Sequence, residues 1–249
     1  MRLWGWVLFI TVLQFGCAAK TVNSEQRAGY HLQIGSGHLA KGNYPAALGE
    51  FLKAEELDPD NPLIHNQLGL AYFLRQRLDL AEKHFRQAIK LNAKFTEARN
   101  NLGRTLIERG QFKAAIVELN IAAKDLLYVE PDKIYSNLGL AYFQMADYSQ
   151  AEKKFLESLK LRRKNCFVQS YYGRSLYELS AFDKAAEVLD QAIETCKSMN
   201  FEDPYYFSAL SYMKTGQREQ AVARLEEGLA TFPQGQFAAK ARSMLEILK

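Results

Sequence analysis

Three cysteines and four histidines are the residues of this chain suited to thiol, metal or proton chemistry. Cys17 closes the N-terminal apolar run in the stretch LQFGCAAK, where a thiol can be acylated or discarded with an export signal. Cys166 and Cys196 lie far downstream, where two thiols can close a bridge or stay free. His31, His38, His65 and His84 could serve as ligands or bases. The first three recur at places otherwise taken by aromatic packing residues, so structural packing is their expected role and no metal site is expected. No HExxH, GxSxG, P-loop or glycine-rich nucleotide motif occurs. The carboxylates are scattered along solvated helix faces rather than paired. The chain is therefore not expected to be an enzyme, and neither a cofactor nor a small-molecule substrate is indicated.

The elements that must position these residues begin with the first sixteen. Arg2 precedes an apolar run from Leu3 to Leu13, and small residues follow at Gly16, Cys17, Ala18 and Ala19. A helix needs roughly 20 apolar residues to cross about 30 Å of hydrocarbon, so this run is too short to span. It fits the h-region of a secretory signal, and the remainder is expected to be an exported, soluble body. That body is ordinary in composition, with 48% hydrophobic and 24% charged residues. The formal charge of +4 is dispersed, with no run of like charges, so no nucleic-acid partner is expected.

Gly16-Cys17 resembles the end of the bacterial lipobox, Leu-(Ala/Ser/Thr)-(Gly/Ala)-Cys, whereas Gln14 and Phe15 depart from its first two places. The rival reading takes Cys17-Ala18-Ala19 as a small-x-small site with ordinary cleavage before Lys20. The preferred lipoprotein reading implies acyl chains on Cys17, each buried methylene contributing about 0.8 kcal/mol to anchoring. By resemblance to enterobacterial sorting, Ala18 after the cysteine implies the periplasmic face of the outer membrane.

From Ala28 onward the chain repeats itself. NQLGLAYFLRQRLDLAEKHFRQAIKLN (66–92) and SNLGLAYFQMADYSQAEKKFLESLKLR (136–162) are two copies of one phrase. A glycine recurs at Gly35, Gly69, Gly103, Gly139 and Gly173, and Ala209 takes its place in a sixth copy; the spacings are 34, 34, 36, 34 and 36. Downstream come Ala47, Ala81, Ala115, Ala151, Ala185 and Ala221, each followed four residues later by Phe51, Phe85, Leu119, Phe155, Leu189 and Leu225. This resembles the tetratricopeptide repeat, a helix-turn-helix unit of about 34 residues. Its opening Trp never appears; His31, His65, Arg99, Tyr135, Gln169 and Tyr205 stand there instead. The resemblance implies an all-α, right-handed superhelix. The expected organisation is a signal peptide (1–16), a lipidated cysteine and tether (17–27), and six repeats (28–61, 62–95, 96–131, 132–165, 166–201, 202–235). A capping helix (236–249) turns Phe237, Ala241, Met244, Leu245 and Leu248 inward. The small residue lets the two helices of a repeat approach, and neighbouring repeats must stack to bury their apolar faces.

In this frame Cys166 opens the fifth repeat and Cys196 lies just past the end of its second helix. Those ends are adjacent in an antiparallel hairpin, so a disulfide is expected outside the cytoplasm. The alternative is two free, semi-buried thiols.

The first helices of such an array face its concave side. The expected partner-binding groove takes Leu32, Leu39, Leu63, Asn66, Leu70, Phe73 and Leu74 from repeats one and two. Repeat three adds Asn100 and Arg104, and repeat four adds Leu140 and Phe143. An apolar half beside Asn and Arg suits an extended or helical peptide; alternatively Leu70 and Leu140 only pack between repeats. The chaperone-type carboxylate clamp needs Lys and Asn where Leu32 and Ser36 stand.

A short lipoprotein signal followed by six such repeats is similar to the type IV pilus pilotin family (PilF, PilW and Tgl proteins). That resemblance implies a non-enzymatic outer-membrane lipoprotein, held to the membrane by its N-terminal acyl chains. It would bind subunits of the pilus secretin and promote their localisation and multimerisation. The alternative is a periplasmic adaptor scaffolding cell-wall or other envelope proteins.

Overall fold

The computed structural model describes residues 23–248. The signal at 1–16 and the acylation site Cys17 lie outside the described residues. Thirteen helices follow one another, with no strand among the described residues. Twelve form six antiparallel hairpins: α1 (Ser24–Ala40) with α2 (Tyr44–Leu57), α3 (Pro62–Leu74) with α4 (Leu78–Leu91), and α5 (Thr96–Glu108) with α6 (Phe112–Ala122). Then come α7 (Pro131–Gln144) with α8 (Tyr148–Leu161), α9 (Cys166–Glu178) with α10 (Phe182–Cys196), and α11 (Asp203–Lys214) with α12 (Arg218–Thr231). The last, α13 (Ala238–Leu248), stands alone. Each helix packs mainly on its sequence neighbours, the expected arrangement of a tetratricopeptide superhelix.

Two boundaries differ from the sequence reading. Ser24 to Arg27, read as tether, are the first turn of α1, because the Asn23 side chain accepts from the backbone N–H of Gln26 and caps the helix. Pro131, read as closing the third repeat, opens α7, where a missing N–H removes no helical bond.

Within every hairpin the small residue and the large one of the repeat meet. A Cβ built on Gly69 would stand 2.6 Å from the ring of Phe85, and one on Gly139 would stand 2.6 Å from Phe155. What forbids a side chain there is the partner helix's core residue, itself fully buried. The hairpin turns also repeat. Gly42, Gln76, Gly110, Ala146, Ser180 and Gly216 all have φ between 58 and 77°. The following N–H bonds back across the helix end, as from Arg77 to the Tyr72 carbonyl and from Gln111 to the Leu106 carbonyl. This is the left-handed C-cap that ends a helix and reverses the chain.

The core runs along the seams. Phe51, Phe85, Leu119, Phe155 and Leu189 mark its axis, with Ile64, Leu68, Leu102, Leu106, Ile134 and Leu138 between them. At the end, α13 lays Ala241, Met244, Leu245 and Leu248 on Ala209 and Leu225, while Phe237 stacks on Tyr206 at 4.3 Å. The Sγ atoms of Cys166 and Cys196 are bonded, tying the first residue of α9 to the last of α10. No helix among the described residues is long and apolar enough to cross a membrane.

Candidate partner-binding groove

The first helices of repeats two to five border one open depression of ≈ 520 Å³, lined by α3, α5, α7 and the start of α9. Of the sequence-predicted residues it gathers Leu70, Asn100, Arg104 and Leu140. The others go elsewhere. Leu32 and Leu39 pack on the core of the first repeat, and Leu74 on that between repeats two and three. Leu63 is exposed outside the depression. Phe143 packs edge-on against Tyr148 and Tyr171 with the Arg174 guanidinium over its ring. Phe73 is 5% exposed and lies beneath the Arg104 guanidinium, 4.6 Å from its ring centre. The expected apolar Leu/Phe pocket is thus closed, because each following repeat covers the seam into which these side chains point.

Asn66 is likewise not free for a ligand. It is 1% exposed, donates to Glu97 Oε1 at 3.0 Å, and its carbonyl accepts from Asn101 Nδ2 at 3.1 Å. One repeat further on, Asn137 Nδ2 donates to Asn100 Oδ1 at 2.9 Å. A short amide ladder therefore crosses from α3 to α5 and from α5 to α7. Its pattern was legible: Asn stands three residues before the repeat glycine at 66 and 100, and two before it at 101 and 137.

Asn101 and Asn137 line the depression, and their side-chain oxygens make no hydrogen bond to the described residues. Around them stand Glu97, Glu108, Glu130 and Asp132 against Arg104, Lys133 and Arg162. Asp132 is held by Arg162 at 2.9 Å and Glu130 by Lys133 at 2.6 Å. Burial pushes the Tyr128 phenol at the rim up to about 12, helped by Glu97, Glu130 and Asp132. Arg104 is exposed and has no carboxylate partner among the described residues. The depression can thus offer a polypeptide backbone two amide oxygens as acceptors and one guanidinium as a donor.

The tetratricopeptide repeat is recognised in sequence three times: as TPR repeat over residues 35–76, and as Tetratricopeptide repeat over 62–95 and 136–200. The type IV pilus assembly protein PilF of Pseudomonas aeruginosa is 31% identical over 160 residues, and the match spans 64% of each protein's length. The structure of P. aeruginosa PilF superposes with a TM-score of 0.79 at 23% identity, over 89% of this chain and 99% of that one. PilW, a widely conserved type IV pilus biogenesis factor, gives 0.78 at 18% identity, over 86% and 98%. These findings and the six stacked hairpins agree: the chain is a tetratricopeptide-repeat protein, similar in sequence to PilF and in fold to both PilF and PilW.

Proposed function

We propose that this protein is a non-enzymatic factor of type IV pilus biogenesis. It is anchored through Cys17 to the periplasmic face of the outer membrane, where it binds secretin subunits and promotes their localisation and multimerisation. The similarity to PilF supports the pathway. The apolar run ending at Gly16-Cys17 supports the anchor. The observation that carries the binding role is the depression along α3, α5 and α7, with free amide oxygens on Asn101 and Asn137 beside the unpaired Arg104. Its polar floor favours an extended segment read through its backbone over an amphipathic helix, which would need the apolar pocket that Phe73 fills from below. Acyl chains on the same molecule would carry a bound subunit to the target bilayer, where high local concentration favours ring assembly.

The test is deletion in the source bacterium, followed by electrophoresis of undissociated secretin and complementation with the wild type, Arg104→Ala or Cys17→Ser. The reading requires loss of multimers on deletion, their return with the wild type, and defective rescue by both variants. Unchanged multimers in the deletion strain would refute the pilus role and favour the envelope adaptor.

A further inference from the structure

Glu55 near the end of α2, His65 on α3 and His84 on α4 converge at the junction of the first two repeats. His65 Nδ1 lies 3.3 Å from His84 Nδ1. Glu55 Oε1 lies 3.5 Å from the first and 3.8 Å from the second. A tetrahedral zinc ion with bonds of about 2.0–2.1 Å holds its ligand atoms ~3.3–3.4 Å apart, so these atoms are spaced as three of its corners. We propose that Glu55, His65 and His84 form a zinc site that clamps the first repeat to the second.

The surroundings suit a ligand set. His65 Nε2 donates to the Pro59 carbonyl at 2.7 Å, which places the proton on Nε2 and leaves Nδ1 as a bare lone pair. Metal-bound histidines are commonly oriented in this way, the far ring nitrogen donating to a fixed acceptor, here a backbone carbonyl. The His84 ring is fixed by stacking on Tyr72, with centroids 5.3 Å apart. Both histidines are almost wholly buried, at 5% and 8% exposure. The Glu55 side chain is 28% exposed, so the site opens towards water on the carboxylate side, and water completes the coordination. Two imidazoles and a carboxylate are the donors zinc accepts, and their net charge of −1 partly neutralises the ion. The placement has a structural rationale as well. Among the described residues the first repeat stacks on one face only, against the second, and an array is weakest at such a junction.

The full-length chain, stripped with a chelator and titrated with zinc against a chromophoric competitor, tests this directly. The expected result is one tight zinc per chain. His84→Gln should weaken it at least a hundredfold and Glu55→Gln at least tenfold, while His31→Gln and His38→Gln leave it unchanged. Cobalt should give the visible d–d bands of a tetrahedral centre in the wild type and lose them in Glu55→Gln, an isosteric change at a partly exposed position. Zinc should also raise the unfolding midpoint of the wild type and not of His84→Gln. No stoichiometric zinc in the wild type, full affinity in His84→Gln, or equal losses in all four variants would each overturn the assignment.

Discussion

Arg99 Nη1 donates to Glu118 Oε2 at 2.7 Å, across the hairpin of the third repeat and nineteen residues along the chain. The same offset joins His31 to Glu50 at 2.7 Å and His65 to His84 at 3.3 Å, and sets Lys154 over the Tyr135 ring. These are the positions where the repeat pattern would open with Trp. In its absence each of these four hairpins is closed by a different polar or cation–aromatic pair. Arg99 and Glu118 are only 15% and 19% exposed, and Arg99 Nη2 also reaches the Ala93 carbonyl. Glu118→Ala should therefore cost about 1–3 kcal/mol, because it strands a largely buried guanidinium. Replacing both residues by Leu should cost less than the single change. Urea unfolding followed by helical circular dichroism measures both; a single variant as stable as wild type would show the pair to be inert.

The hairpin turns predict opposite effects for one substitution and its reverse. Ala146 holds φ 58° at the place where Gly110 holds φ 72°. A Cβ in the left-handed region costs roughly 1–2 kcal/mol. Ala146→Gly should raise stability by about 1 kcal/mol after its larger loss of chain entropy, and Gly110→Ala should lower it by a similar amount. Thermal melts of the two variants should shift in opposite directions.

Close approach at the repeat glycine predicts a difference between repeats. Gly69 faces the rigid ring of Phe85, and Gly103 faces Leu119 with the Leu Cγ 2.5 Å from a built Cβ. The sixth repeat already tolerates Ala209 with Leu225 at the corresponding pair. Gly69→Ala should cost about 1–3 kcal/mol, as overpacking of a closed core does. Gly103→Ala should cost clearly less, because a leucine can change rotamer and helix propensity returns up to ~1 kcal/mol. Equal losses would mean that the backbone rather than the ring sets the limit.

How far the sequence could be read follows from these same residues. The Gly–Phe seam was legible because both partners recur with the repeat and both are internal to one hairpin. The groove was not, because position numbers place Phe73 and Asn66 on the inner side of α3 without revealing how much of that side the next repeat covers. Phe73 ends beneath Arg104, and Asn66 ends inside an amide ladder. The repeat register assigns the histidines to packing, and His84 does stack on Tyr72. What the repeat pattern concealed is that position 65 meets position 84, two imidazoles facing each other where the pattern expects one indole. Asn101 and Asn137 carry a signal only in their register beside 66 and 100, which single-position reading of the groove does not use.

Acid sensitivity should concentrate in the last two hairpins. Burial pushes the Asp190 carboxyl up, but hydrogen bonds from Arg224, Ser208 and Tyr212 outweigh it and hold it below the usual carboxylate range. A depressed carboxylate contributes stability that is complete above its unfolded value of about 3.9 and is lost as pH falls through the lower folded value. Asp190→Asn should lower stability at pH 7 by about 1–2 kcal/mol, discounted for the partial exposure of the pair. It should also flatten the loss of stability below about pH 4 relative to wild type. Parallel pH profiles for the two proteins would show that Asp190 does not govern the acid limb.

The disulfide should stabilise chiefly the fifth repeat. Cys166 and Cys196 are both buried and close a loop with a sequence separation of 30. Chain-entropy arithmetic for such a loop gives about 3.5 kcal/mol. Because each repeat contacts chiefly its neighbours, that contribution acts on one hairpin and on the seams beside it, not on the array evenly. Replacing both cysteines by Ser should leave the first repeats as protected as before. It should make α9 and α10 the first helices to exchange their amide hydrogens. Wild-type protein held in a strong reductant should reach the same exchange pattern, since the bridge is the only bond the two treatments share. Uniform loss of protection along the whole array would refute this local role, because it would mean that the six hairpins unfold as one cooperative unit.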